Sequence, residues 1–503
     1  MSSVANNWLL DELLSPWAEQ TVPRVNVTGV SLDSRWVVPG DLYLAVAGAS
    51  THGICFAMQA VDAGAIAVLI SDNLPARYNA MQVELQAREI PVVRITGLEA
   101  NCADIASRFY GDPDRDLTLI AVTGTDGKTS VCRFISQAMN ATGWACGYIG
   151  TLGWGAGEAL QATALTTPDS VMLRRMLAEM RDQGVRCVAL EASSHGIAEG
   201  RLDGLSLDIA VLTNLGRDHL DYHITAEAYR AAKERLFHWS SLRAVVVNAD
   251  DFMGRDLIGQ INHIPCFAYS TKSESDAAYT KLIKAENIIT HDAGLEFSLA
   301  DESFHGHVHT GLLGRFNVDN LLACYASLRA CDVAANDAVH ALYTVTPVAG
   351  RMERHGGDDK PTVVIDYSHT PGALQVAIEA VRVHCSGSLW VVFGCGGDRD
   401  RGKRAPMAKA AQAADHVILT DDNPRTESSD AIIQDAMAGF DEPENVVVIQ
   451  DRAAAIRYAV TTAVTGDLIL IAGKGHENYQ IVGTEKLHFS DRQQALAALE
   501  LAS

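Results

Sequence analysis

Continuous apolar runs alternating with helical patterns predict an α/β protein built on parallel sheets, and three observations carry that expectation. Leu117–Val122 is an unbroken apolar run that passes directly into a glycine-rich loop and then a helical pattern. Further runs of the same kind, Arg186–Leu190, Ile209–Thr213 and Ala244–Val247, follow with helical stretches between them. Toward the C-terminus the alternation becomes regular, with PTVVID, LWVVFG, HVILTD, NVVVIQ and LILIAG as strands. A strand apolar at every position has both faces covered, as in a parallel sheet flanked by helices.

Three blocks follow from the order of these elements. The first contains short apolar strands at Asp41–Ala47, Ala65–Ile70 and Pro91–Ile95 and a helical stretch around Asn101–Tyr110, and ends in the turn-rich segment GDPDRD, read as a linker. The second opens at Leu117 and contains, from about Ile288 to His309, shorter alternating segments that suggest a small antiparallel insert. The third starts near Gly350, and four of its strands run into polar loops: DYSHTPG, GCGGDRDRGKR, DDNPRTE and GKGHENYQ. Open α/β sheets bind ligands beyond the carboxyl ends of their strands, so these loops are candidate sites. The expected boundaries are 1–112, 113–349 and 350–503, in line with about three domains for 503 residues.

Composition narrows the function. The formal net charge of −22 argues against a general nucleic-acid binder, since a phosphate backbone would be repelled, but not against a small anion held by a local cluster of donors. The ten cysteines are scattered with no C-x-x-C pair, as expected of reduced thiols in a cytoplasmic protein. The N-terminal segment lacks a basic leader region, and no apolar run approaches the ~20 residues that span a bilayer.

The loop Thr123, Gly124, Thr125, Asp126, Gly127, Lys128, Thr129, Ser130 lies between a strand and a helix. Glycines let the backbone approach phosphate oxygens, exposed N–H groups at a helix start attract anions, Lys128 can reach β- and γ-phosphates, and the Thr129 hydroxyl suits Mg²⁺. The spacing between glycines is shorter than in the usual phosphate loop. By itself the loop leaves kinase, ATPase and ligase open.

The loop resembles that of the Mur ligases and their relatives, the folylpolyglutamate synthases. The likeness continues through SLDSR (Ser31–Arg35), LEASSHG (Leu190–Gly196), TNLGRDHLDYH (Thr213–His223), YRAAKERLF (Tyr229–Phe237), GRFNVDN (Gly314–Asn320), GRME (Gly350–Glu353), DYSHTP, GCGGDRDRGKR, DDNPRTE and GKGHE (Gly473–Glu477). Within the family the series is similar to the members that add meso-diaminopimelate. The resemblance implies an N-terminal UDP-binding domain, a central P-loop ATPase-type domain and a C-terminal Rossmann-like domain. It also implies an ADP-forming ligase that phosphorylates the D-Glu side-chain carboxylate of UDP-MurNAc-L-Ala-D-Glu and joins meso-diaminopimelate to the acyl phosphate, in peptidoglycan synthesis.

The same resemblance implies the site residues. ATP would be held by Thr123–Ser130 with Asn317 and Arg351, and His369 would approach it. Mg²⁺ would be held by Thr129 and Glu191, with His219 and a carbamylated Lys233 at a second position; Lys128, Glu191, His219 and Lys233 would form the catalytic group. The UDP-MurNAc-dipeptide would meet Leu32, Ser34, Thr166, Thr167, Ser193, Glu199 and Arg201. Diaminopimelate would meet Arg399, Asp422, Asn423, Pro424, Arg425, Gly473 and Glu477, with the planar fork of Arg425 selecting its extra carboxylate over lysine. Three positions depart from the family: Leu165 and Asp126 stand where relatives often have Asn, and Glu199 where a Gln is common. An acid at 199, beside a polyanionic substrate, is unexpected. The expected assembly is a monomer without nucleic-acid or membrane partners.

Overall fold

The structure, a computed structural model, describes residues 7–48, 51–216, 218–272 and 281–501; Arg217 of the TNLGRDHLDYH motif and residues 1–6 lie outside them. The chain forms two compact units, Met1–Ala268 with Ala326–Val333, and Tyr269–Tyr325 with Ala334–Ser503.

In the first unit a four-stranded parallel sheet is ordered Gly29–Ser31, Asp41–Ala45, Ala67–Ser71, Val92–Ile95. Its side chains alternate between two cores. Leu42, Leu44, Ala67 and Leu69 face the helix Leu98–Tyr110, whereas Tyr43, Ala45, Val68 and Ile70 pack with Ile54, Ala57 and Leu85. The GDPDRD segment, read as a turn-rich linker, is packed against the rest of the unit. Pro113–Arg115 forms a single 3-10 turn, Pro113 and Asp114 are buried, and Asp114 accepts a hydrogen bond from the Ser206 N–H at 2.8 Å. A carboxylate that can cap a neighbouring backbone donor turns a polar sequence into packed structure.

The larger sheet of this unit places Thr118–Thr123 between Ile209–Leu212 and Cys187–Glu191, with Ala244–Asn248 beyond the former and Cys146–Gly150 beyond the latter; all these pairs are parallel. Gly153–Ala156 then adds an antiparallel edge. Thr118–Thr123 and Cys187–Glu191 are side by side, so the loops at their carboxyl ends, Gly124–Gly127 and Ala192–Ser193, converge.

In the second unit, Leu282–His291, Gly294–Asp301 and Phe304–Thr310 form the antiparallel insert, longer than expected at its start. A six-stranded sheet is ordered Glu353–Gly356, Thr362–Asp366, Leu468–Ala472, Leu389–Cys395, His416–Asp421, Val446–Val448, antiparallel only at the first pair. Val391, Phe393 and Leu470 face one core and Val392, Ile469 and Ile471 the other, which is why these strands read as unbroken apolar runs. Leu468–Ala472 and His416–Asp421 both flank Leu389–Cys395, so GKGHE, DDNPRTE and GCGGDRD emerge at one end. No helix among the described residues is long and apolar enough to cross a membrane.

Candidate active site

The phosphate loop leaves the strand Thr118–Thr123 and enters the helix Lys128–Ala141. A Cβ at Gly124 would lie 1.8 Å from Thr213 Oγ1, so the close approach of the two strand ends requires glycine there. Gly127 precedes the helix with φ +82, a left-handed conformation that favours glycine. The loop is held from its neighbour: Asp126 N–H donates to Asn214 Oδ1 at 2.9 Å, and Thr213 Oγ1 donates to the Asp126 carbonyl at 2.6 Å. The Asp126 side chain itself is exposed, so the acid at this position is solvated rather than buried against the loop donors.

Lys128 Nζ donates to the carbonyls of Gly124 and Thr125 at 2.9 and 2.8 Å, and Lys233 Nζ donates to the same Gly124 carbonyl at 2.6 Å. Lys233, on the helix Ala226–Glu234, is only 1% exposed. Burial, reinforced by the neighbouring Lys128 cation, pushes its amine down to about 6, against opposition from Asp218 and Asp126. Tyr229 lies beneath it, its ring centroid 4.5 Å from the amine and its hydroxyl 3.1 Å from Thr125 Oγ1.

Glu191 ends its strand almost wholly buried, with every carboxylate contact polar. Oε1 accepts from the Tyr148 hydroxyl at 2.6 Å and the Thr151 N–H at 2.9 Å; Oε2 accepts from Thr129 Oγ1 at 3.0 Å and Thr151 Oγ1 at 3.1 Å. Thr129 and Glu191 are thus brought together as paired oxygen donors, the ligand chemistry Mg²⁺ prefers. His219 sits at φ +52, paired with Asp218 at 3.3 Å, its ring 4.8 Å from His195. Among the described residues no group of three or more His, Cys, Asp or Glu side chains is gathered to hold a metal.

A continuous network leads away from Glu191. Thr167 Oγ1 donates to the Glu191 carbonyl at 2.7 Å and lies 2.9 Å from Ser193 Oγ; Arg201 Nη1 donates to the Thr167 carbonyl at 2.6 Å; Thr166 Oγ1 is 3.1 Å from Thr151 Oγ1. A Cβ at Gly196 would meet Thr167 at 2.6 Å, which explains the glycine after SSH. Glu199 forms a two-pronged ion pair with Arg201 at 2.6 and 2.9 Å. That pairing accounts for the unexpected acid: its charge is matched by the arginine two residues on. Leu165 is exposed. Ser34, in the smaller sheet's region, is buried and donates to Gln59 at 3.0 Å, while Leu32 is half-buried against the adjacent core.

The second unit gathers the proposed amino-acid residues separately. The close approach of two loops sets this cluster: Gly397 N–H donates to the Asn423 carbonyl at 2.9 Å, and a Cβ on Gly397 would lie 1.9 Å from the Pro424 carbonyl. Arg425, at φ +53, donates from Nη1 to the Gly397 carbonyl at 2.8 Å. Its side chain and that of exposed Arg399 both lie next to Gly396. The hairpin Tyr479–Val482 with Glu485–His488 fixes the loop from the other side. Arg425 N–H donates to the Ile481 carbonyl at 3.0 Å, Gly483 N–H to the Arg425 carbonyl at 2.7 Å, and Ile481 N–H to Asn423 Oδ1 at 2.9 Å. Asn423 Nδ2 donates to Glu477 Oε2 at 3.3 Å. Gly473, at φ +117, begins the GKGHE loop, and its N–H donates to the Asp366 carbonyl.

Three residues assigned to the nucleotide also lie in this unit. Asn317 is buried near the start of the helix Phe316–Ala330, where it donates to the Leu313 carbonyl at 2.7 Å and accepts from Asn320 at 2.9 Å, the contacts of a residue organising a helix start. Arg351 lies over the Tyr367 ring at 4.7 Å, and His369 is exposed. Burial and Arg351 push His476, 5.2 Å from Tyr367, down to about 4.

Sequence reasoning passed over Tyr148 and Thr151, which hold Glu191 and have no local signature. It also passed over Lys474, whose signal was legible: a lysine between two glycines immediately after an apolar strand.

Comparison with known proteins places this geometry. Three family models match in chain order: the Mur ligase family catalytic domain over 26–110, the Mur ligase middle domain over 122–328, and the Mur ligase glutamate ligase domain over 350–475. A Pseudomonas putida protein named UDP-N-acetylmuramoyl-L-alanyl-D-glutamate--2,6-diaminopimelate ligase is 45% identical, covering 93% of this chain and 94% of its own length. A Coxiella burnetii protein of the same name is 42% identical over 98% of this chain and all of its own. A solved structure of a ligase bearing that name is 35% identical, with a TM-score of 0.69 and coverage of 98% and 99%. A MurF ligase from Thermotoga maritima, solved with ADP, shares the fold at 16% identity and a TM-score of 0.63 over 94% of this chain and 97% of its own. Matched by these models and by relatives along nearly its whole length, the chain belongs to the Mur ligase family.

Proposed function

We propose that the protein is an ATP-dependent, ADP-forming ligase that joins meso-2,6-diaminopimelate to the D-Glu side-chain carboxylate of UDP-MurNAc-L-Ala-D-Glu in peptidoglycan synthesis. The observation that carries this reading is the 45% identity, over 93% of the chain, to a protein named for that reaction. A carboxylate oxygen of the D-Glu residue attacks the γ-phosphorus of ATP and ADP departs. The diaminopimelate amine, once deprotonated, attacks the acyl carbon, and the C–O bond to phosphate breaks. Phosphoryl transfer chiefly demands positioning and charge neutralisation.

The loop Thr123–Ser130 would cradle the phosphates, Lys128 exchanging its two loop carbonyls for phosphate oxygens. The buried oxygen donors of Thr129 and Glu191 fit Mg²⁺, which when bound would neutralise charge on the phosphates. Lys233 fits carbamylation: an amine pushed down to about 6 is unprotonated at neutral pH and can add CO₂, releasing one proton and becoming an anion. With His219 it would then supply the second Mg²⁺ position. Asn317, Arg351 and His369 complete the nucleotide assignment. Leu32, Ser34, Thr166, Thr167, Ser193, Glu199 and Arg201 would hold the UDP-MurNAc-dipeptide. Arg399, Asp422, Asn423, Pro424, Arg425, Gly473 and Glu477 would hold diaminopimelate, Arg425 and Arg399 binding carboxylates and Glu477 an amine.

We place the domains at 1–112, 113–349 and 350–503, a division supported by the spacing of the three family models. The chain acts as a cytoplasmic monomer, since one copy carries every group named. The test is phosphate release from ATP with UDP-MurNAc-L-Ala-D-Glu and Mg²⁺. Release with diaminopimelate but not L-lysine is expected. Release with lysine alone overturns the acceptor, and release without any acceptor overturns ligation in favour of an ATPase or kinase.

A further inference from the structure

We infer that Lys474 is a positioning residue for the acceptor amino acid, acting through Glu477, which it holds directly and by way of Asn423, without touching substrate; the inference rests on the acceptor site proposed above. Lys474 follows the strand Leu468–Ala472 and is 0% exposed. Its ammonium donates to Asp422 Oδ1 at 3.2 Å, Asn423 Oδ1 at 3.0 Å and Glu477 Oε2 at 3.4 Å. An ammonium has three donors, and all three are engaged within the protein.

This arrangement has two consequences. The first concerns orientation. Both Lys474 Nζ and the Ile481 N–H point at Asn423 Oδ1, so the amide cannot flip without setting its own NH₂ against two donors. In that fixed orientation Asn423 Nδ2 is delivered to Glu477 Oε2, the oxygen Lys474 also holds. Glu477 is thereby pinned at Oε2, with a further hydrogen bond to its carboxylate from the Tyr479 side chain, and is held in one orientation for an amine.

The second consequence concerns charge. Asp422 and Glu477 share one ammonium, at 3.2 and 3.4 Å, and without it two like charges are left near each other with no cation between them, which pushes Glu477 off its position. Two other buried cations at this end of the sheet, Arg452 and Arg404, are already matched, by Asp491 at 2.7 and 2.8 Å and by Glu427 and Asp435 at 2.6 and 2.8 Å, and do not substitute. The donor to Asp422, Asn423 and Glu477 is therefore Lys474.

The test compares Lys474→Met, Glu477→Gln and the double variant with the unaltered chain, measuring KM for diaminopimelate, ATP and UDP-MurNAc-L-Ala-D-Glu, kcat and melting temperature. Lys474→Met is expected to raise the acceptor KM about tenfold or more, as for loss of a charge-assisted contact, with the other two KM values within about twofold. Because Lys474 acts through Glu477, the double variant should match Glu477→Gln in acceptor KM. If Lys474→Met does not fold, the double variant, which carries no unmatched Glu477 charge, is compared with Glu477→Gln alone. An unchanged acceptor KM in Lys474→Met, an equal rise in all three KM values, or independent multiplying effects in the double variant overturns the inference. An unaltered chain without diaminopimelate-dependent turnover overturns the proposed function instead.

Discussion

Lys233 is a residue whose chemistry departs far from its type. Its amine, near 6, lies below the ~10.4 of an exposed lysine, so between those values the unfolded chain binds a proton that the folded chain does not. Stability therefore rises with pH through that window, and the penalty for burying the lysine is complete below about 6. In CO₂-free buffer, Lys233→Met should melt higher than the native chain by a margin largest at and below pH ~6 and shrinking toward pH ~10. In the ligase assay Lys233→Ala should lose activity by about a hundredfold, the upper range for removing a group that tunes a metal site. Added bicarbonate or a short carboxylate should partly restore it, and full activity without them would remove Lys233 from the mechanism. For Arg425, loss of a charge-assisted bond of ~1.5–3 kcal/mol predicts an acceptor KM raised about ten- to a hundredfold in Arg425→Ala. Its left-handed φ is as strained for Ala as for Arg, since both carry a Cβ, so the substitution adds no backbone strain. Arg425→Asn, which removes the guanidinium and suits that conformation better, is the control: a similar KM in both variants assigns the loss to the guanidinium.

The phosphate loop is the element most tightly constrained by its neighbour. Gly124→Ala would drive a methyl group into Thr213 Oγ1, and the expected result is a raised KM for ATP with a smaller change for the acceptor. Thr213→Ala in the same chain should recover part of the loss; no recovery would place the obstruction elsewhere in the loop. This element and the strands around it were readable in the sequence, because burial on both faces writes an unbroken apolar run and a phosphate loop needs glycines at fixed places. The packing of the Pro113–Arg115 turn was not legible in GDPDRD because its polarity is satisfied internally, through Asp114 and Ser206, and a sequence does not display its hydrogen-bond partners. Glu199 looked out of place for the same reason, its match being Arg201. Tyr148 and Thr151 were invisible because their role arises from strand pairing that sets Cys146–Gly150 beside Cys187–Glu191.

For the whole molecule, division into two compact units argues against a single two-state unfolding transition. A ligand stabilises what it binds by an amount that grows with the logarithm of its concentration relative to Kd. Calorimetry should resolve more than one transition, with Mg-ADP raising most that of the unit holding Gly124–Ser130, and less that of the unit holding Asn317 and Arg351, and with diaminopimelate raising that of the unit holding Asp422–Arg425. Equal shifts of every transition by either ligand would contradict that assignment. The net charge of −22 has a local counterpart in the ion pairs of Glu199 with Arg201, of Asp422 and Glu477 with Lys474, and of Glu427 with Arg404.

The hairpin from Tyr479 to His488 grips Arg425 by its backbone, from Ile481 on one side and Gly483 on the other. For protein engineering, acceptor choice is then a cassette written in two discontinuous pieces of chain. Transplanting Asp422–Arg425 alone into a homologue would move the letters and leave behind the grammar that makes them legible. Grafts that carry both segments together are the ones expected to transfer selectivity.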